Sequence, residues 1–265
     1  MIGVDPQTLA LLCAVAGLAG CIDAIGGGGG LITVPALMLA GLDPVTAIAT
    51  NKAQGAAGAM SSALAFARAK MVDWRAATPV ALAAGAASIL GALSVTHIDR
   101  RALEALAPVL LAVIALYFLF APRLSDKDAR ARIGPALFAG TLAPLVGFYD
   151  GVFGPGAGSF YMIGFVGLLG FGILRATAHT KIANAASNLG SLGLYAATGA
   201  VVWPVGFAMA LFAFLGAQVG ARLAMRLGAR LIRPLLVFVA CAMALKLLAD
   251  PANPLTAALG PLLAH

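Results

Sequence analysis

The stretch DAIGGGGGLITVP, residues 23–35, places an aspartate and five consecutive glycines inside an apolar part of the chain. Glycine is the poorest ordinary residue for a helix interior, and an ionised carboxylate is costly in lipid. Non-helical backbone is tolerated at membrane depth only where protein or a water-filled cavity satisfies its polar groups. The stretch therefore predicts a broken helix at a functional position.

The chain around this stretch is apolar along nearly its whole length. Of its 265 residues, 62% are hydrophobic and 10% are charged, with a mean hydropathy of +0.99. Soluble domains usually carry about a quarter charged residues. The apolar runs lie at 8–22, 31–41, 45–67, 76–95, 102–121, 133–149, 158–173, 182–201, 204–225 and 234–249. Because these runs lack strand-like alternation, the predicted fold is all-α: a polytopic membrane helical bundle.

The charged and sulfur-containing residues exclude several classes of function. The net charge is +7, but most Lys and Arg lie in short gaps between apolar runs, as topogenic charges do. We therefore expect no nucleic-acid partner. The three cysteines stand alone without metal-ligand spacing, and no phosphate-binding loop or nucleophile–base pairing stands out, so we expect no metal, cofactor or catalytic residue. LAGC at 18–21 resembles a lipoprotein cleavage site, but no Lys or Arg precedes it, and we expect the segment to be retained.

Residues recur at a fixed spacing on either side of the polar stretch PRLSDKDARAR at 122–132. Matched residues in the two halves are Trp74 with Trp203 and Lys52 with Lys181, both 129 apart, and Asp23 with Asp150, 127 apart. Several matches in register indicate a duplication. We predict a first transmembrane repeat at 1–121, a polar linker at 122–132 and a second repeat at 133–265. Each repeat starts with a Gly-broken helical segment.

The distribution of positive charge favours inverted repeats. Linkers 68–75, 122–132 and 222–233 carry three, four and four Lys or Arg, whereas 96–101 carries two and 200–204 none. If each broken segment folds back to its starting side, all three rich linkers lie inside and both termini outside. If each broken segment instead crosses once, the charges divide almost evenly between the two sides. The positive-inside rule favours the first arrangement.

A helix that begins directly after the glycines would leave its first N–H groups unpaired. Those groups and the helix dipole form a site receptive to anions. GPGAGSF at 154–160 offers the same arrangement in the second repeat, with Ser159 as a helix cap. Close helix packing through small residues is the alternative interpretation. The predicted substrate-binding residues here are Gly27, Gly28, Gly29, Gly30, Gly154, Gly156, Gly158 and Ser159.

Four ionisable residues lie in apolar surroundings: Asp23, Lys52, Asp150 and Lys181. Such groups are functional hypotheses by default in a membrane protein. We predict that the lysines contribute to substrate binding. The aspartates would pair with the lysines, one Asp and one Lys per repeat, or carry a coupling proton. A purely structural pair of ions remains the alternative.

Polar side chains surround each lysine, in ATNKAQ at 49–54 and AHTKIANAASN at 178–188. In the second repeat they follow helical spacing and form one stripe, made of Lys181, Asn184, Asn188, Ser191 and Tyr195. We predict that Asn51, Asn184 and Asn188 bind substrate along a translocation path. Hydrogen bonding between helices would produce the same pattern. His179 is weak evidence for proton movement.

With these motifs the sequence resembles the TauE/SafE family, also called the sulfite exporter or toluene-sulfonate uptake permease family. The resemblance covers nearly the full chain and rests on GCIDAIGGGGGLITVPALMLAGLDPVTAIATNKAQG, the following VDW, and DGVFGPGAGSF with TKIANAASNLGSL. The second motif departs by having Pro155 and Ala157 within its Gly loop. The resemblance implies a carrier of the bacterial inner membrane that moves sulfite, sulfonates or related organosulfur anions.

The residues and the resemblance together predict a multi-pass secondary transporter of a small anion, and the resemblance favours a sulfur-containing one. Its expected partners are that anion, the lipid bilayer and a coupling proton or sodium ion. Further copies of the chain, in a homo-oligomer, are an additional option. A passive anion channel or a membrane sensing subunit is the alternative function. A membrane enzyme is a third option, for which no water-activating partner of the aspartates is visible.

Overall fold

The computed structural model describes residues 4–95, 126–232, 234, 235, 237, 238, 241 and 242. The predicted run 102–121 and most of 234–249 lie outside these residues. Secondary structure in the described part is helical, with α1 Pro6–Gly26, α2 Gly29–Leu39, α3 Pro44–Arg68, α4 Trp74–Ser94, α5 Pro135–Gly140, α6 Leu142–Val152, α7 Ala157–Gly167, α8 Ile173–Ala197 and α9 Trp203–Leu227. In that part α1, α4 and α9 are long and apolar enough to cross a membrane. The all-α helical membrane bundle is confirmed.

Aspartates fix where several helices begin. Asp5 and Asp43 precede α1 and α3, and the Oδ1 of each accepts hydrogen bonds from two following backbone N–H groups. Pro6 and Pro44 occupy the first helical position, where a missing N–H costs nothing. The acidic residues of these turns are therefore helix caps.

Both glycine motifs break the helical path. α1 ends at Gly26 and α2 begins at Gly29, after Gly28 with a left-handed φ of 92°. In the second motif Gly156 has a φ of 87° and precedes α7. Left-handed backbone is where glycine has the advantage over other residues. The glycines are thus required by the turn that starts each short helix.

Three details of the predicted helix bounds are wrong. α2 begins two residues before the predicted start of its apolar run at 31. Ser159 does not cap α7, because the turn at Gly156 starts that helix before the serine is reached. The run 133–149 contains a break at Thr141, which separates α5 from α6.

Helices α3 and α8 form an antiparallel pair at the centre. Leu174, at the start of α8, lies in the same cleft as Lys70, just beyond the end of α3. A Cβ on Gly55 would lie 3.0 Å from the Asn188 Oδ1, midway along both helices. Near the other end Tyr195 of α8 belongs to the same buried cluster as Ile48 of α3.

Each central helix has a parallel neighbour from the opposite half of the sequence. α9 runs parallel to α3. The Val202 N–H donates to Thr50 Oγ1 at 3.1 Å, and further along both helices Gln218 Nε2 donates to the Ser61 carbonyl at 2.9 Å. α4 runs parallel to α8 in the same way. The Asp73 N–H donates to His179 Nε2 at 3.2 Å, and Ser88 Oγ donates to the Ser187 carbonyl at 2.5 Å.

Glycines allow the outer helices to touch at backbone distance. A Cβ on Gly216 of α9 would lie 2.8 Å from the carbonyl carbon of Gly17 in α1. A Cβ on Gly151 of α6 would lie 2.8 Å from the carbonyl carbon of Ser88 in α4. Small residues serve this purpose widely in membrane proteins. We call α1, α2, α3 and α9 the first body, and α4, α6, α7 and α8 the second body.

The geometry supports the predicted inverted repeats, which stay a prediction. α3 and α8 are both 25 residues long with starts 129 residues apart, yet they run in opposite directions. α2 folds back toward the start of α1, since Leu37 packs in one cluster with Leu12 and Ala16. α7 folds back likewise, since the ring of Phe165 near its end lies 4.9 Å from that of Phe138 in α5. Each broken segment thus returns toward the side from which it came, as the charge distribution favours.

We expect Gly216→Ala to lower the free energy of unfolding by about 1–3 kcal/mol, because the added Cβ forces α1 and α9 apart. Gly193→Ala is the matched control. A Cβ there meets nothing within 4 Å, and alanine is the better helix former by about 1 kcal/mol. Thermal unfolding of both variants in detergent measures the difference. A Gly216→Ala protein as stable as Gly193→Ala would contradict the backbone contact.

Candidate functional site

The two glycine breaks meet at the centre of the molecule. A Cβ on Gly27 would lie 3.1 Å from both the carbonyl carbon of Gly158 and the backbone nitrogen of Ser159. On the other side a Cβ on Gly30 would lie 3.6 Å from the Cα of Pro155. The N-termini of α2 and α7 therefore approach each other from opposite bodies. A cavity of about 40 Å³ lies between them.

Most predicted site residues line this cavity: Asp23, Gly28, Gly29, Gly30, Asn51, Asp150, Gly154, Gly156, Gly158, Asn184 and Asn188. Four predicted site residues are not among its lining: Gly27, Lys52, Ser159 and Lys181. Gln54 contributes a further polar side chain that the sequence analysis missed, although it stands in the quoted ATNKAQ motif. The cavity has room for roughly two or three water molecules.

Lys52 and Asp150 form a fully buried ion pair. The Lys52 Nζ lies 2.7 Å from Asp150 Oδ1 and also donates to the Asp150 carbonyl, and the side chains are 1% and 3% exposed. Asp150 Oδ2 accepts hydrogen bonds from Ser187 Oγ and from Asn188 Nδ2, the latter at 3.3 Å. Both carboxylate oxygens are thus satisfied, as a buried charge requires. Sequence reasoning missed Ser187.

Lys181 and Asp23 form the second pair, with a different environment. The Lys181 Nζ lies 3.1 Å from Asp23 Oδ2 and also donates to the Asp23 carbonyl. Asp23 Oδ1 accepts a hydrogen bond of 3.1 Å from the N–H of Gly29, the first residue of α2. The Lys181 side chain is fully buried, whereas that of Asp23 is 17% exposed. Asp23 therefore stands between the lysine and the cavity.

Each ion pair joins the two halves of the sequence. Lys52 of the first half binds Asp150 of the second, and Lys181 of the second binds Asp23 of the first. The pairs also join the two bodies, since α3 and α1 lie in one and α6 and α8 in the other. Both lysines are held behind the carboxylates that face the cavity.

The hydrogen bonds of Asn51 are not repeated at the matching position in the second half of the chain. Asn51 Oδ1 accepts hydrogen bonds from Thr33 Oγ1 at 2.5 Å and from Gln54 Nε2 at 2.7 Å. In the second half, the positions matching Thr33 and Asn51 are Tyr161 and Thr180. Their hydroxyls are buried and make no hydrogen bond of ordinary geometry within the described part of the chain. The repeated motifs thus have an unequal polar lining.

His179 lies away from the cavity, at the end of the bundle where α8 begins. Its Nε2 accepts from the Asp73 N–H, while its Nδ1 lies 2.9 Å from the Arg175 carbonyl. Arg175 forms ion pairs with Asp128 at 2.5 Å and with Asp73 at 3.3 Å, and stacks on Phe171. This cluster ties the polar linker to the bundle.

The linker aspartate of this cluster is adapted to its ionised form. Burial acts to raise the pKa of Asp128, but hydrogen bonds from the Gly172 N–H and from Arg175 outweigh it and hold the pKa below its ordinary value. A carboxyl group whose pKa is lower in the folded state stabilises the fold at pH values above its unfolded-state pKa. This stabilisation is lost as the pH falls through the folded-state pKa. The linker attachment therefore weakens in acid.

We expect Gly29→Ala to weaken both the fold and anion binding. A Cβ at Gly29 would lie 2.9 Å from the Asp23 Cβ and 3.0 Å from the Ala19 carbonyl oxygen, so it displaces the carboxylate. The expected loss in free energy of unfolding is about 1–3 kcal/mol. Gly156→Ala should lower the free energy of unfolding by a similar amount, about 1–2 kcal/mol, because the residue at this position has left-handed backbone. Thermal shifts with and without anion measure both effects.

The control for Gly29→Ala is Gly17→Ala, also at a helical position. A Cβ on Gly17 would make only ordinary contacts, of 3.7 Å and 3.8 Å with Phe212, and we expect no loss of stability. If Gly29→Ala were as stable as Gly17→Ala and bound anion equally well, the glycine break would be a packing seam only.

Comparison with known proteins places these residues in a family context. The model of the family described as sulfite exporter TauE/SafE matches residues 12–247. The chain is 52% identical to the probable membrane transporter protein ORF9 of a Sinorhizobium species, over 95% of this chain and 97% of that protein.

Two further bacterial relatives match over comparable lengths. The probable membrane transporter protein YfcA of Escherichia coli is 45% identical, over 93% of this chain and 92% of that protein. A probable membrane transporter protein of Haemophilus influenzae is 43% identical, over 94% of this chain and 97% of its own length. No solved structure matches the chain significantly.

Proposed function

The chain belongs to the sulfite exporter TauE/SafE family of membrane transporters, and from this premise we propose that it is a secondary transporter of a small, sulfur-containing anion. One observation carries the proposal: the N-termini of two short helices from opposite bodies converge on one buried cavity. Helix N-termini offer N–H groups and a partial positive charge to an anion. Discontinuous helices in this arrangement are typical of secondary transporters.

Two lysines support an anion as the substrate. Lys52 and Lys181 are fully buried beside the cavity, each on a central helix and each held by a single carboxylate. Intramembrane charges of this kind mark substrate or ion pathways. In the proposed mechanism, the helix N-termini orient the anion and a lysine neutralises its charge. The amides of Asn51, Asn184 and Asn188 supply further hydrogen bonds.

The rest of the proposal concerns setting and partners. We place the protein in the bacterial inner membrane as a multi-pass protein, since its relatives are bacterial membrane transporters and its helices expose large apolar side chains, among them Leu82 and Phe207. Its partners would be the anion, the lipid bilayer and a coupling ion, with no nucleic acid. We do not propose an enzyme.

Reconstituted protein tests the proposal. Purified protein in liposomes should take up sulfite, thiosulfate or sulfoacetate in a saturable and gradient-dependent way, and the transported anion should raise the melting temperature of the protein. Carboxylates of similar size serve as the comparison. Flux that does not saturate would favour a passive channel, binding without flux a sensing subunit, and a chemically altered product an enzyme.

Topology gives a separate prediction. We expect both termini outside and linker 122–132 inside, because the three linkers rich in Lys and Arg then share the cytoplasmic side. Reporter fusions after Leu263 and within the linker measure the two locations. A cytoplasmic C-terminus would contradict the inverted arrangement but would not contradict the proposal that the protein is a transporter.

A further inference from the structure

The two aspartates of the cavity differ in how firmly they are held. Asp150 is 3% exposed, and its carboxylate binds Lys52, Ser187 and Asn188. Asp23 is 17% exposed, and its carboxylate binds Lys181 and one backbone N–H. Asp23 therefore has fewer partners to lose and better access to water in the cavity.

The partners of Asp23 are the donors that an anion would use. Its Oδ1 takes the N–H of Gly29 at the start of α2, and its Oδ2 takes the Lys181 ammonium. A carboxylate and a sulfonate make the same kinds of charge-assisted hydrogen bond. Asp23 thus fills the place of the substrate's charged group, and the two cannot occupy it together.

The charges around the cavity point the same way. Asp23 and Asp150 line it, whereas Lys52 and Lys181 do not. An anion entering this arrangement meets two carboxylates before it reaches either lysine. Two like charges that share so small a cavity repel each other. Binding therefore requires that one carboxylate become neutral.

We propose that Asp23 is the proton-coupling residue, and that an anion binds only together with one proton taken up by this carboxylate. The inference rests on the proposed function. A proton from bulk water forms an O–H bond on Asp23, and the Lys181 ammonium and the Gly29 N–H pass to the anion. For a singly charged anion the net charge of the site stays unchanged. Release of the anion returns both donors to the ionised Asp23.

Asp150 has a positioning role in this scheme. Ser187 and Asn188 saturate its second oxygen, and Lys52 also binds its backbone carbonyl. Neutralising it would leave Lys52 as an unpaired buried charge, which is costly. Asp150 therefore keeps the second body attached to α3 while Asp23 takes up and releases its proton.

The first experiment compares binding of methanesulfonate, a singly charged sulfonate that stays ionised throughout, by the wild type and Asp23→Asn across a range of pH. In the wild type the affinity should fall about tenfold per pH unit on the alkaline side, as uptake of one proton requires. Asp23→Asn mimics the neutral side chain, and its affinity should be independent of pH. Asp43→Asn is the matched control. It removes a carboxylate from a helix cap far from the cavity, where asparagine caps equally well, and should keep the wild-type profile.

The second experiment measures proton movement and covers the case in which Asp23→Asn does not fold. Wild-type liposomes loaded with a pH-sensitive dye should show one proton moved with each anion, in the same direction. Anion flux without proton movement, flux driven only by a sodium gradient, or an Asp23→Asn protein with wild-type pH dependence would overturn the proposal. A wild type that neither binds nor moves any anion would instead refute the proposed function.

Discussion

Lys181→Ala is expected to abolish anion binding and transport while leaving folded protein in the membrane. The ammonium is fully buried beside the cavity and supplies the positive charge that holds Asp23. In the exchange that we propose, the same charge would hold the substrate. Its loss leaves Asp23 partly exposed and still bound to the Gly29 N–H, so the fold survives. Ligand-induced thermal shifts and liposome flux measure the effect.

Two further variants sharpen this test. Lys181→Arg retains the charge, but its planar and larger guanidinium fits poorly in a place built for one ammonium, so we expect partial recovery of binding. Lys70→Gln removes a lysine from the turn after α3 and should behave as wild type. Normal transport by Lys181→Ala would show that the polar stripe of α8 serves only to join helices.

Lys52→Met should have the largest effect on stability, lowering the free energy of unfolding by about 3–5 kcal/mol. The change leaves the Asp150 carboxylate almost fully buried and without its cation. The double variant Lys52→Met with Asp150→Asn removes both charges and should recover much of the loss. Unfolding in detergent, followed by tryptophan fluorescence, measures all three proteins.

The contrast between the two lysines is itself informative. We expect Lys52→Met to cost more stability than Lys181→Ala, because Asp150 is more deeply buried than Asp23. If the double variant were no more stable than Lys52→Met alone, the loss of stability would not come from the unpaired charge of Asp150.

Local chemistry made the broken helices predictable. Five consecutive glycines cannot continue a helix cheaply, and charges in an apolar run must face protein or water. Both features depend only on neighbouring residues, and both glycine breaks are present. The cap assigned to Ser159 failed because the choice among turn residues depends on backbone angles, which put Gly156 ahead of it.

Tertiary arrangement decided what the sequence could not predict. The spacing of Asp23 and Lys52 within one repeat suggests a pair, but each aspartate binds the lysine of the other half. That exchange follows from the way the two bodies meet at α3, α8 and the glycine breaks, which no local pattern encodes. For the same reason the sequence could not tell that the lysines lie behind the carboxylates.

The placement of α9 in the first body has a consequence for how the protein is made. α1 to α3 leave the ribosome early, but their packing partner begins only at Trp203. At ordinary rates of synthesis the glycine-lined face of α1 waits roughly 10–40 s for that partner. During this interval lipid or an insertion factor must cover Gly17 and the backbone around it. Halves of the chain made separately would each lack a helix that the other holds, so neither would form a complete body until both were present in one membrane.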